Sequence, residues 1–115
     1  ILLALMASGL NGQNFAFNGY LPIKPNERSK AISMLEKKVR HENQTQIFIE
    51  TPYRNQAVVE TALNVLDTNT LFSIAVDITL PTQWIQTHTI ATWRKLTLPD
   101  LHKRPAVFVL GGSKK

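Results

Sequence analysis

Gln46-Ile47-Phe48-Ile49-Glu50-Thr51-Pro52-Tyr53-Arg54-Asn55 is the stretch that decides how this chain is read. Gln46 to Ile49 is mostly β-branched or aromatic, which favours a strand. A carboxylate, a hydroxyl, a proline, a phenol and a guanidinium follow at the point where the strand stops. Pro52 cannot continue a central strand, but it fits the first turn of a helix, with Thr51 able to cap it. Strand, polar turn and helix in succession is how open α/β sheets build ligand sites at their carboxyl edges. An ordinary ion pair between Glu50 and Arg54 at a helix start accounts for the same two charges.

Working outward, the pattern alternates. Phe15 to Tyr20 reads as a short strand closed by a Leu21-Pro22 turn. Pro25 and Glu27 open a helix that should run to about Arg40. Ala31, Ile32, Leu35 and Val39 form one apolar stripe along it, with Lys30, Lys37 and Arg40 opposite. After the strand at 46–50, a helix from Tyr53 to Leu66 carries a wide apolar face of Val58, Val59, Ala62, Leu63 and Leu66. The turn at 67–70 leads to a buried strand from Leu71 to Val76. Gln83 to His88 reads as a strand and Ile90 to Leu96 as a short helix. Pro99 breaks the chain before a last strand from Ala106 to Leu110. Strands separated by helices predict an α/β domain: a mixed, mainly parallel sheet of about five strands with crossover helices. The short link from Val76 to Gln83 suggests one antiparallel member.

Composition bounds the function. A chain of 115 residues suffices for one domain with one core. Its 43% hydrophobic and 18% charged residues describe a folded chain rather than a disordered one. No apolar run is long enough to cross a bilayer. With no cysteine there can be neither a disulfide nor a thiolate metal site. A net charge of +5 permits a polyanionic partner such as nucleic acid, and serves solubility as readily. Ile1 to Gly9 reads as a helix ending at a glycine C-cap, without the basic flank of a signal peptide. It is rich in helix formers yet has no helix start, so the expectation is a chain cut from something longer. Gly111 to Lys115 reads as a frayed end.

Familiar chemical signatures are missing. The glycines have neither P-loop nor dinucleotide spacing. His41, His88 and His102 lie far apart in polar surroundings, which suits solvated surface histidines better than metal ligands, so no metal is expected. Glu50 and Asp77 stand out because both fall at the ends of apolar strands, where parallel neighbours would bring their tips to one edge. Each could instead order its own loop. The helix around Lys30, Lys37, Lys38 and Arg40 also carries Glu27, Glu36 and Glu42, as a solvated face does.

Four blocks carry a resemblance: Ala7-Ser8-Gly9-Leu10; Gly19-Tyr20-Leu21-Pro22 with Lys24 and Arg28; Ile47 to Arg54; and Asp77-Ile78-Thr79. In this order and spacing they resemble the C-terminal half of tetrapyrrole (corrin/porphyrin) methylase superfamily proteins. The branch they resemble most methylates a cytidine ribose 2′-hydroxyl in small-subunit ribosomal RNA. Pro105 to Gly111 also looks like the superfamily's last strand. Two departures stand out. The ribosomal branch has Ser and His where Thr51 and Tyr53 stand. It has an Arg-Glu-Leu-Thr-Lys run where Val76 to Leu80 stands, so this chain lacks two basic residues suited to phosphate contacts.

The resemblance implies that residues 1–115 form the second domain of a two-domain methyltransferase whose N-terminal domain is absent here. S-adenosylmethionine would lie between the domains, against Glu50, Thr51, Asp77, Ile78 and Thr79. Substrate would meet Lys24, Arg28, Tyr53 and Arg54. Glu50 is the carboxylate best placed to take a hydroxyl proton. The expected partner is ribosomal RNA or the small subunit, met by a cytoplasmic homodimer without a membrane; this chain alone should be inactive. Two other readings stay open: a tetrapyrrole carbon as methyl acceptor, and a non-catalytic α/β binding or dimerisation module.

Overall fold

β-Branched and aromatic residues alternate with helical stripes along the chain, and the computed structural model, which describes residues 2–98 and 100–112, turns that alternation into five strands and four helices among the described residues. In chain order they are α1 (Leu2–Ser8), β1 (Phe15–Tyr20), α2 (Pro25–Glu42), β2 (Thr45–Ile49), α3 (Asn55–Val65), β3 (Leu71–Val76), β4 (Trp84–Thr89), α4 (Ile90–Trp93) and β5 (Ala106–Gly111). Ile1 and Pro99, which the sequence reading placed in a helix and at a break, lie outside the described residues, as do positions 113–115.

The strands form one mixed sheet in the order β1-β2-β5-β3-β4. Only β1 and β2 pair in parallel; β2 with β5, β5 with β3, and β3 with β4 are antiparallel. A mixed α/β domain with five strands is therefore right, and a mainly parallel sheet is wrong. The reason is the last strand. β5 inserts between β2 and β3, which the sequence reading treats as neighbours, and runs against both. One crossover helix, α2, joins the single parallel pair.

Pleating divides the sheet into two faces. On one, Phe48, Phe72 and Phe108 stack with ring centroids 5.4 to 6.5 Å apart. They meet Ile32, Leu35 and Val39 of α2 and Val58, Val59 and Ala62 of α3. Both apolar stripes read from the sequence thus find the core, with Ala31 and Leu63 packed at its margin. Trp93 of α4 closes the end of this layer, its Nε1 donating to the Phe72 carbonyl at 2.7 Å. The opposite face is thinner. Ile47 and Val109 pack under Leu5 of α1, flanked by Leu10 and Val107.

Helix ends follow local chemistry with one exception. Pro25 opens α2 as expected, and Gly9 after α1 takes the left-handed φ of +73° that suits a C-cap. The expected helix start at Pro52, capped by Thr51, is not formed. Thr51 to Arg54 is a turn, closed by the Arg54 amide on the Thr51 carbonyl, and α3 begins at Asn55 with Arg54 as its N-cap residue. Glu50 holds that turn by accepting from both the Thr51 amide and the Arg54 guanidinium.

Candidate functional site

The carboxyl edge of the sheet is set by the strand directions. β2 and β3 both run against β5, so they point the same way although they do not touch. Ile49 and Ala75 both sit opposite Val107 of β5. Glu50, one residue beyond Ile49, and Asp77, two beyond Ala75, therefore leave the sheet at one edge. They share it through an intervening antiparallel strand, not through parallel adjacency. Tyr20 ends β1 beside Ile49 and brings a third strand tip to the same edge.

Glu50 is at the centre. Its side chain is 1% exposed. Oε1 accepts from the Thr51 amide at 2.7 Å and from Arg54 Nε at 3.2 Å. Oε2 is buried without a hydrogen-bond partner. An unpaired buried acceptor carries a desolvation cost of about 1–3 kcal/mol that a donor brought by a ligand relieves. Glu50 also lines two grooves. One, of about 450 Å³, is walled by Leu3, Ile49, Ala75, Ile78, Thr79 and Val107 among others. The second, of about 550 Å³, runs past Leu21, Ile23, Lys24, Glu27, Thr51 and Arg54. Tyr20 and Glu50 line both, forming the divide between them.

Asp77 does different work. Its Oδ2 accepts from Arg104 Nε and from Thr82 Oγ1, each at 2.8 Å. The Arg104 hydrogen bond, helped by Thr82, holds the Asp77 carboxyl below the usual carboxylate range against the opposing effect of desolvation. Arg104 also donates to the Thr82 carbonyl, and its own carbonyl accepts from Asn55 Nδ2 at the start of α3. Asp77 orders the loop from 77 to 83, the alternative the sequence left open. The loop in turn presents Ile78 and Thr79 to the smaller groove. Asp77 and Thr79 both take left-handed φ values, +51° and +72°. Backbone strain of this kind outside glycine persists where surrounding contacts hold it.

The remaining candidates divide. Lys24 is exposed and Thr51 and Arg54 half-buried, all in the larger groove. Arg28 is not on the surface: it is buried, with Nη2 donating to the Ile23 carbonyl at 2.7 Å. Tyr53 is outside both grooves and packs edge-on against His102, ring centroids 5.7 Å apart. Of the histidines, His41 and His102 are exposed, whereas His88 is half-buried against Trp93. Sequence reasoning missed Tyr20 and Arg104. An exposed phenol closing a strand at the site edge was a usable signal for Tyr20. Nothing local announced Arg104, whose partner lies 27 residues away.

A five-stranded mixed sheet of this kind is a fold this chain shares with a solved methyltransferase. It superposes on the crystal structure of the methyltransferase CobJ with a TM-score of 0.60 at 20% identity, covering 97% of this chain and 47% of that one. In sequence it is similar to bacterial proteins named ribosomal RNA small subunit methyltransferase I. The one from Buchnera aphidicola subsp. Baizongia pistaciae is 32% identical over 95 residues, 80% of this chain and 31% of the relative. The one from Buchnera aphidicola subsp. Schizaphis graminum is 29% identical over 115 residues, 97% of this chain and 39% of the relative. The chain thus spans 31% to 39% of the length of these relatives. No family model matches it. The resemblance read from the sequence holds on both counts: the fold is that of the solved CobJ methyltransferase over 97% of this chain, and the sequence is similar to proteins named ribosomal RNA small subunit methyltransferase I.

Proposed function

We propose that the protein is an S-adenosylmethionine-dependent methyltransferase whose acceptor is a ribose 2′-hydroxyl of small-subunit ribosomal RNA. The observation that carries this reading is the free, buried Oε2 of Glu50 at the divide between two grooves. The relatives' name supplies the reaction class and the substrate.

S-adenosylmethionine fits the smaller groove by size and chemistry. Its walls are apolar at Ile49, Ala75, Ile78 and Val107, Thr79 adds a polar edge, and Glu50 adds a buried acceptor. When bound, the cofactor supplies a methyl group on a sulfonium, a leaving group that needs no metal. Ile78 and Thr79 hold one flank, positioned by the Asp77–Arg104 pair. Glu50 Oε2 takes the proton of the acceptor hydroxyl, while Arg54 on Oε1 fixes the carboxylate's orientation. Lys24 reaches RNA phosphates from the larger groove. A preceding domain, in the length of the relatives that this chain does not span, forms the facing wall of the cofactor site. The protein works in the cytoplasm as a homodimer.

The test is methyl transfer from labelled S-adenosylmethionine to small-subunit ribosomal RNA by the full-length protein and its Glu50→Gln variant. We expect labelled ribose 2′-oxygen with the former and a loss in kcat on the order of 10²-fold or more with the latter. Label on a tetrapyrrole, or full activity in the variant, contradicts the reading. Residues 1–115 alone should bind the cofactor far more weakly than the full-length protein, because one wall is missing. Micromolar binding by this piece in titration calorimetry would show that it makes the site by itself.

A further inference from the structure

The groove residues leave part of the site edge unexplained. Tyr20 is 64% exposed although it ends a strand. Tyr53, on the Thr51–Arg54 turn after β2, is 69% exposed, yet its ring is held by the edge contact with His102. Cations alternate with these rings. Lys24 and Arg54 share the larger groove with Tyr20, and Arg54 follows Tyr53 directly. Lys103, next to His102, is exposed and anchored by its amide on the Pro52 carbonyl at 3.1 Å. An exposed apolar ring is a poor use of surface unless something flat covers it. Rings interleaved with cations match the two needs of an unpaired polynucleotide, a stacking surface for each base and a positive charge for each phosphate.

We propose that Tyr20 and the Tyr53–His102 pair form a stacking track for single-stranded RNA along the carboxyl edge, with Lys24, Arg54 and Lys103 neutralising its phosphates. The inference rests on the ribosomal RNA reading above and adds to it the form in which the substrate is bound. A base on Tyr20 lies at the divide between the grooves, which Glu50 also lines. A base on Tyr53 holds a neighbouring nucleotide on the outer side of the Thr51–Arg54 turn. Duplex RNA buries its base faces within the helix and offers nothing to such a track. The target nucleotide must therefore be unpaired, or be drawn out of its helix, before methyl transfer.

Binding of a short fluorescent oligoribonucleotide, single-stranded or annealed to its complement, to the full-length protein tests this. Fluorescence anisotropy should show preference for the single strand. Tyr20→Ala should weaken single-strand binding on the order of tenfold, and Tyr20→Phe should restore it, since a phenyl ring stacks as a phenol does. Lys103→Gln should lower the salt dependence by about 0.7 in log–log slope, the share of one phosphate on a single strand. Both side chains are exposed, so folding is unaffected; circular dichroism verifies it. Equal affinity for duplex, or wild-type binding by Tyr20→Ala, overturns the track. If the wild-type protein methylates ribosomal RNA while Tyr20→Ala keeps the same KM, the track is wrong and the substrate reading stands. If the wild-type protein methylates no RNA, the substrate reading itself has failed, and the track with it.

Discussion

Glu50 satisfies one carboxylate oxygen twice and the other not at all. Asp77, at the same edge, spends its contacts on Arg104 and Thr82. The two acids looked alike in sequence, each following an apolar strand. What separates them is Arg104, brought in by β5, which no local pattern could announce. Their variants should differ accordingly. The Asp77 carboxyl is held below its ordinary range, first by the Arg104 hydrogen bond. A carboxyl whose pKa is lower folded than unfolded adds stability that is fully present above the unfolded value. That stability is lost as pH falls through the folded value. Folding stability should thus decline below about pH 4 partly through this group. Asp77→Asn should flatten that decline, as measured by urea midpoints from neutral to acid pH; an unchanged acid limb would refute the assignment. Asp67, lowered by the Asn69 amide and by Arg40, shifts with the same sign, so the flattening will be partial.

At the scale of elements, the loop from 77 to 83 is held to the turn before β5 and to α3 by Arg104 and Asn55. Arg104→Ala should leave the core intact but release Ile78 and Thr79 from the groove wall. The expected result, on the proposed reaction, is a raised KM for S-adenosylmethionine in the full-length protein together with a lowered thermal midpoint, because the buried Asp77 carboxylate loses its cation; an unchanged KM would mean the loop keeps its place without the clamp. The core answers to different residues. Phe108 is fully buried and stacked between Phe48 and Phe72 on the central strand. Phe108→Ala should cost about 3–5 kcal/mol in denaturant unfolding, and a loss under 1 kcal/mol would mean that the strand is not central. Most elements were legible because their periodicity is local: the stripe of Ile32, Leu35 and Val39, or the run from Leu71 to Val76. Strand order was not, because β5 finds its place by pairing with residues thirty or more positions away, and an apolar run shows burial on both faces without showing direction. The misplaced start of α3 has a similar cause. Glu50 reaches forward over the next four residues and holds as a turn what the proline seemed to open as a helix.

The molecule as a whole is built unevenly about its sheet. One face carries α2, α3 and α4 over the phenylalanine core; among the described residues the other carries α1 over Ile47 and Val109. Phe17 pairs with Ile47 in parallel register and so shares the α1 face, and Phe15 follows by the two-residue period. Both are exposed, as are Leu2, Leu3 and Met6 of α1, the last at 76%. A short helix showing three large apolar side chains, on a sheet face that also exposes two phenyl rings of the edge strand β1, is more apolar surface than a monomer keeps in water without reason. We therefore expect residues 1–115 to self-associate through this face, and the proposed homodimer to draw on it. Sedimentation at increasing concentration should show a rising average mass, and Met6→Glu should hold the protein as a monomer, because a carboxylate buried in such a contact goes unpaired. Met6 touches neither groove, so the variant should fold as the unchanged chain does. A wild-type chain that stays monomeric at high concentration would leave this surface without the role assigned to it and would remove the dimer from the proposed function.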